Sequence, residues 1–128
     1  MHIFQFFAPG VPQVYYGGLF ACKNDMELLA STNVGRDINR SYLDAAKIDE
    51  ALNKPVVKGL IALIKMRNEH PAFAGEFTAQ GGASVCCLMW KLEQQSTSLS
   101  VDFASRTALI TQVNGAQENT LNLQSLLV

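Results

Sequence analysis

The chain has 128 residues, 48% of them hydrophobic and 16% charged, with a net charge of −1. That length fits one domain, or a small domain with an appendage, and falls well short of the ~250 residues of a complete α/β barrel. No basic stripe runs along it and its aromatics are not interleaved with Lys or Arg, which excludes the electrostatic footprint and the stacking platform of a nucleic-acid binder.

The chain opens on an apolar segment, MHIFQFFA. A free N-terminus is usually frayed and polar, so this start reads as an element cut from something larger. It has no basic leader and no polar cleavage region, and is not a signal peptide. No apolar run approaches the ~20 residues that span a bilayer. Pro9-Gly10-Val11-Pro12 then punctuates the chain. Val11–Tyr16 (VPQVYY), β-branched and aromatic, predicts a short strand that Gly17-Gly18 ends.

Residues 19–47 read as a long loop with short helical turns, broken at Asn24-Asp25, Ser31-Thr32-Asn33 and Gly35. Loops of this length are uncommon unless functional or disordered, so residues 23–43 are the first place to look for a site. Leu52, Val56, Leu60 and Leu63/Ile64 then fall at helical spacing, offset from Lys47, Lys54, Lys58 and Lys65. The spacing predicts a helix from about residue 54 to Arg67. Asn53 suits its cap, Pro55 its first turn, and His70-Pro71 its end.

After Gly75 the pattern turns to β. Val85–Leu92 is apolar around Trp90. Leu99, Val101 and Phe103 alternate, and Leu109 and Val113 do so less cleanly. Gly81-Gly82 and Asn114-Gly115 are turn signals, the second suited to a tight hairpin. Leu121, Leu123, Leu126 and Leu127 are placed to close the sheet. The expectation is four or five short antiparallel strands.

Cys22, Cys86 and Cys87 are odd in number and two are adjacent, which makes a poor disulfide framework and offers no zinc-ligand spacing. A reducing, cytoplasmic compartment is the natural reading, and no metal or cofactor is expected. The fold class is α+β: the end of a (β/α)8 barrel (last strand, loop and helix) over residues 1–72, followed by a small antiparallel β domain over residues 73–128.

Four segments carry a family resemblance. FAPGVPQVYYGG (Phe7–Gly18) resembles the segment that closes the barrel in α-amylase superfamily enzymes. CKNDMELLASTNVGRDINRSYL (Cys22–Leu43) is similar to the following loop of sucrose phosphorylases. PVVKGLIALIKMRNEHPAF (Pro55–Phe73) resembles the final barrel helix, and GEF (Gly75–Phe77) opens the β domain. The match covers roughly residues 5–77. It implies glucosyl transfer between sucrose and phosphate with retention. Retention needs a nucleophilic carboxylate and a carboxylic acid/base ~5–5.5 Å apart. The resemblance places both on earlier barrel strands, and none of the eleven Asp and Glu residues here sits in a segment resembling those motifs.

The resemblance carries over one residue. Arg36, in Gly35-Arg36-Asp37, matches the arginine that contacts the bound glucosyl unit. A guanidinium presents five fixed donors that suit sugar hydroxyls, and Gly35 permits a turn that aims the side chain inward. The competing role is a loop-stapling ion pair with Asp37 or Asp25. Asp37 reads as a residue that orients Arg36 or caps a turn, Asn24 and Asp25 as an Asx-turn or helix cap, and Arg40 as a structural partner of Asp37 or Asp44. His70 reads as a capping imidazole rather than a general base. Cys86 and Cys87 read as packing residues, and Trp90 as core rather than a sugar platform. His2 has no nameable partner.

Two functions of different class follow. The first is the C-terminal part of a sucrose phosphorylase-like retaining glucosyltransferase that lacks the catalytic carboxylates, is inactive alone, and meets sucrose only in the full-length context. The alternative is a non-catalytic β domain that self-associates or binds a protein partner. The helix face and Phe4, Phe6, Phe7, Tyr15 and Tyr16 need cover, and exposed apolar surface drives association into homo-oligomers. A carbohydrate-binding β domain using Trp90 is a third, weaker reading.

Overall fold

The computed structural model describes residues 2–126, and they form two compact units. One is residues 2–12 with 62–126, the other residues 13–61.

The larger unit is organised by one sheet. Strands β1 (Glu76–Gly81), β2 (Val85–Leu92), β3 (Gln95–Asp102), β4 (Thr107–Asn114) and β5 (Gln117–Asn122) run antiparallel in sequence order. Short turns explain that order, because consecutive hairpins need no crossover. Register decides which face is buried. Trp90 lies opposite Thr97, Leu88 opposite Leu99 and Cys86 opposite Val101, and Leu99 in turn faces Ile110. Of these, Trp90, Thr97, Leu99, Val101 and Ile110 are buried. Alternate positions share a face, so this row is the core face. Each large apolar side chain fully buried there contributes roughly 1.5–3 kcal/mol.

Helix α1 (His2–Phe7) lies against β2, with Phe6 and Phe7 fully buried. These two aromatics find their cover within the chain rather than waiting for a partner. The Trp90 indole N–H donates to the Phe7 carbonyl at 2.7 Å. That bond and its 8% exposure make Trp90 a core residue and remove it as a sugar platform. Phe103, expected in a strand, sits in the β3–β4 turn and stacks on Phe4 at 6.2 Å. In the β4–β5 hairpin the central residues are Gly115 and Ala116, not Asn114 and Gly115. Asn114 pairs with Gln117 and Gly115 takes the positive φ of 60°.

Helix α2 (Tyr16–Leu19), α3 (Met26–Thr32), α4 (Ala45–Leu52) and the first half of α5 (Pro55–Glu69) make the smaller unit. The strand expected over Val11–Tyr16 does not form. Residues 11–15 are in no ladder, Tyr15 is extended, and α2 begins at Tyr16. A strand exists only by pairing, and the five described strands all pair within the other sheet. The barrel-type strand expected there is therefore absent among the described residues.

The predicted helix is present as α5, two residues longer at its C-terminal end than expected. Asn53 does not cap its start. Asn53 instead ends α4, and its side-chain amide donates to the Asp49 carbonyl at 3.0 Å. Leu121 lies on β5 while Leu123–Leu126 is a 3-10 turn rather than a strand, and Leu127 lies outside the described residues.

The exit of α5 is tightly built. His70 accepts the Ala72 N–H on Nδ1 at 3.3 Å and so caps the 3-10 turn Pro71–Ala74, as the sequence predicts. Gly75 follows at the mouth of β1, where a Cβ would lie 2.0 Å from the Lys91 carbonyl oxygen. Only a glycine permits that approach.

Three outcomes follow. Gly75→Ala destabilises by roughly 3 kcal/mol in urea titration, because backbone rather than a flexible side chain must move. Thr97→Val stabilises by about 1 kcal/mol, because the fully buried Thr97 hydroxyl has no hydrogen-bond partner among the described residues and valine removes it at nearly constant shape. Burial lowers the pKa of His70. The neutral imidazole is thus the folded form, and the unfolded chain binds the extra proton. Stability is full above the ordinary histidine pKa of about 6.5 and falls as pH drops below it toward the lowered folded value. Melting temperature measured from pH 7.5 to 5 declines in the parent and flattens in His70→Asn, which keeps a cap acceptor without the titration.

Candidate functional site

The loop carrying Arg36 is shaped by hydrogen bonds. Asp25 begins α3, its carboxylate accepting the Leu28 N–H at 2.8 Å, as expected of an N-cap. The helix ends at Asn33 in the left-handed conformation (φ 52°), with the Ser31 and Thr32 hydroxyls both donating to the Leu28 carbonyl. Residues Gly35–Asn39 form a 3-10 turn packed against α3. Inside it the Asp37 N–H donates to the Val34 carbonyl at 2.9 Å, and the Arg40 N–H to the Asp37 carbonyl at 3.1 Å.

Four longer-range donors then fix the turn and its exit. The Asp25 N–H donates to the Ile38 carbonyl at 2.6 Å. The Ser41 hydroxyl donates to the Lys23 carbonyl at 3.2 Å. The Tyr15 hydroxyl donates to the Asn39 carbonyl at 3.3 Å, and the Tyr16 hydroxyl to the Ser41 carbonyl at 3.4 Å. The tyrosine rings lie 4.5 Å apart. The Tyr16 phenol titrates above its ordinary value, chiefly because of the adjacent Tyr15 phenol.

Arg36 is exposed on this turn. The ion pairs anticipated from sequence do not form: among the described residues the one ion pair is Lys47–Asp44 at 3.8 Å, so neither Arg36 nor Arg40 pairs with Asp25, Asp37 or Asp44. Gly35 adopts no positive φ, and a Cβ there would meet nothing, so its special freedom is not used. Nearby, an open hollow of about 530 Å³ is lined by Lys23, Asn24, Glu27, Tyr42, Glu50 and Lys54, among others, and Arg36 is not one of them. Its opposed charges leave it without a strong preference for either sign of ligand.

The remaining candidates are structural where the structure places them. His70 is a cap and Trp90 is core. Cys86 and Cys87 are free and half-buried on β2, facing opposite sides of the sheet. Tyr15 and Tyr16 were read from sequence as strand residues and as aromatics in need of cover. Their adjacency before Gly17-Gly18 was the available signal, but the contacts they make lie 24 and 25 residues away.

No protein-family model matches the sequence. Individual proteins do. The chain is 51% identical over 108 residues to a sucrose phosphorylase of Agrobacterium vitis, covering 84% of this chain and 22% of that protein. It is 54% identical over 100 residues to a sucrose phosphorylase of Bifidobacterium adolescentis, covering 77% and 20% respectively. The crystal structure of the sucrose 6F-phosphate phosphorylase from Thermoanaerobacter thermosaccharolyticum superposes with a TM-score of 0.86 at 39% identity, over 91% of this chain and 24% of that one. The chain thus spans about a fifth to a quarter of the length of the proteins it matches. Identity of 51–54% over most of its residues, together with the shared fold, makes this chain a homologue of the C-terminal region of the sucrose phosphorylase family.

Proposed function

We propose that the chain serves as the C-terminal region of a sucrose phosphorylase-like retaining glucosyltransferase, with Arg36 holding the glucosyl unit. Retention requires two placed carboxylates. No Asp or Glu here lies in a segment resembling those catalytic motifs, so catalysis depends on groups outside this segment. The observation that carries the reading is the 51–54% identity to sucrose phosphorylases. An exposed guanidinium without an ion pair, on a turn held by long-range hydrogen bonds, supports the role of Arg36. By origin, residues 1–72 are the end of a (β/α)8 barrel and residues 73–128 its C-terminal β domain. Residues 11–15 would complete their strand only beside other barrel strands.

Partners and compartment follow from the same reading. Val11, Met26 and Tyr42 are strongly exposed, at 96%, 60% and 81%, and support association with the rest of such an enzyme or with a second copy. No helix among the described residues is long and apolar enough to cross a membrane. Three free cysteines support a reducing, cytoplasmic setting.

The test is a hybrid in which this chain replaces the matching region of the Bifidobacterium adolescentis relative. The hybrid releases glucose 1-phosphate from sucrose and phosphate, and the chain alone releases none. Arg36→Ala in the hybrid lowers kcat/KM by about 10- to 100-fold, the range for a charged hydrogen-bond donor. Turnover by the chain alone, or a folded hybrid indifferent to Arg36→Ala, contradicts the reading.

A further inference from the structure

The turn that bears Arg36 has little burial to hold it. Gly35, Arg36, Asn39 and Arg40 are all exposed, and no residue of the turn is fully buried. Surface loops of this kind are ordinarily mobile. This one is gripped at its C-terminal end by two adjacent phenols that are themselves 46% and 40% exposed, so burial does not explain where they sit. Their hydroxyls reach the carbonyls of Asn39 and Ser41, on either side of Arg40.

Gly17 makes the approach possible. It is buried, and a Cβ there would lie 2.9 Å from Tyr15 Cε1 and 3.1 Å from the Asn39 carbonyl oxygen. Glycine, tyrosine ring and turn backbone are therefore stacked without room for a methyl group. On the other side the Asp25 N–H holds the Ile38 carbonyl, so the turn is pinned from two directions.

We infer that Tyr15 and Tyr16 are positioning residues for Arg36, their hydroxyls fixing its turn through the Asn39 and Ser41 carbonyls. The inference rests on the role proposed above for Arg36. A charged donor contributes its full binding energy to a bound sugar only where it is held in place beforehand.

Two measurements test it. In the full chain, Tyr15→Phe/Tyr16→Phe accelerates hydrogen exchange at the Asp37 and Arg40 amides by about 30-fold, as expected for losing two modest hydrogen bonds, while the amides of β3 keep their protection. Gly17→Ala, which displaces the Tyr15 ring, acts in the same direction. Unchanged exchange in the turn overturns the inference. In the hybrid enzyme, the double tyrosine variant raises KM for sucrose by about tenfold with a smaller change in kcat, and has no further effect once Arg36→Ala is present. An Arg36→Ala hybrid with parental kinetics defeats the reading of Arg36 itself. An impaired Arg36→Ala hybrid beside a tyrosine variant at parental KM defeats only the positioning, as do tyrosine effects that simply add to those of Arg36→Ala.

Discussion

One guanidinium joins the N-terminal segment of the larger unit to its aromatic cluster. Arg67 lies 4.3 Å above the Phe73 ring and 5.0 Å from the Trp90 ring, and it donates to the Gly10 carbonyl at 3.0 Å. Trp90 donates in turn to the Phe7 carbonyl. Residues 2–12 have no strand to add to the sheet, so these two donors and the buried faces of Phe6 and Phe7 tie them to it. Arginine suits the position better than lysine. A planar cation can stack on two rings and still reach a carbonyl. Burial lowers its pKa, yet a guanidinium stays charged where an ammonium would titrate. Phe73 also packs edge-on against Phe7 and His70, so the cap at His70, the end of α5 and the start of the sheet share one aromatic cluster.

That cluster explains which parts of the fold were legible in the sequence. The sheet was legible because alternation and turn residues are local signals: Leu99 and Val101 point to the core, and Gly115 marks a hairpin. Helix α5 was legible because its apolar residues keep one period over four turns. Helix α4 was not separated from it, since Leu52 continues that period in number. The cue was Asp44, which accepts the Lys47 N–H at 2.8 Å and starts a helix of its own. Val11–Tyr16 was misread because β propensity describes a fit to a pleated neighbour, and among the described residues no neighbour is there.

The candidate site was legible to a different degree. Asp25 declared itself as a cap, because capping is a local rule written in residue type and spacing. The ion pairs expected of Arg36 and Arg40 did not form. Exposed ion pairs gain little against the entropy of holding two long side chains, and the turn is held by backbone carbonyls instead. No periodicity announces which carbonyl a tyrosine hydroxyl will find 24 residues away. Family resemblance named Arg36, but what keeps its turn in place is a set of contacts distant in sequence.

The two units therefore answer to different physics. In the sheet, removal of a buried side chain costs stability through lost transfer energy and a residual cavity. In the Arg36 turn there is little apolar area to lose, and each hydrogen bond is worth only about 1 kcal/mol net. Changes there alter where the turn rests more than whether the chain folds. A sugar site places the same demand on its surroundings, since a misplacement of about 1 Å can cost 100-fold in rate. Three donors reaching residues 35–41 from outside, with the Ser41 hydroxyl donating back to Lys23, contribute little to stability and much to position.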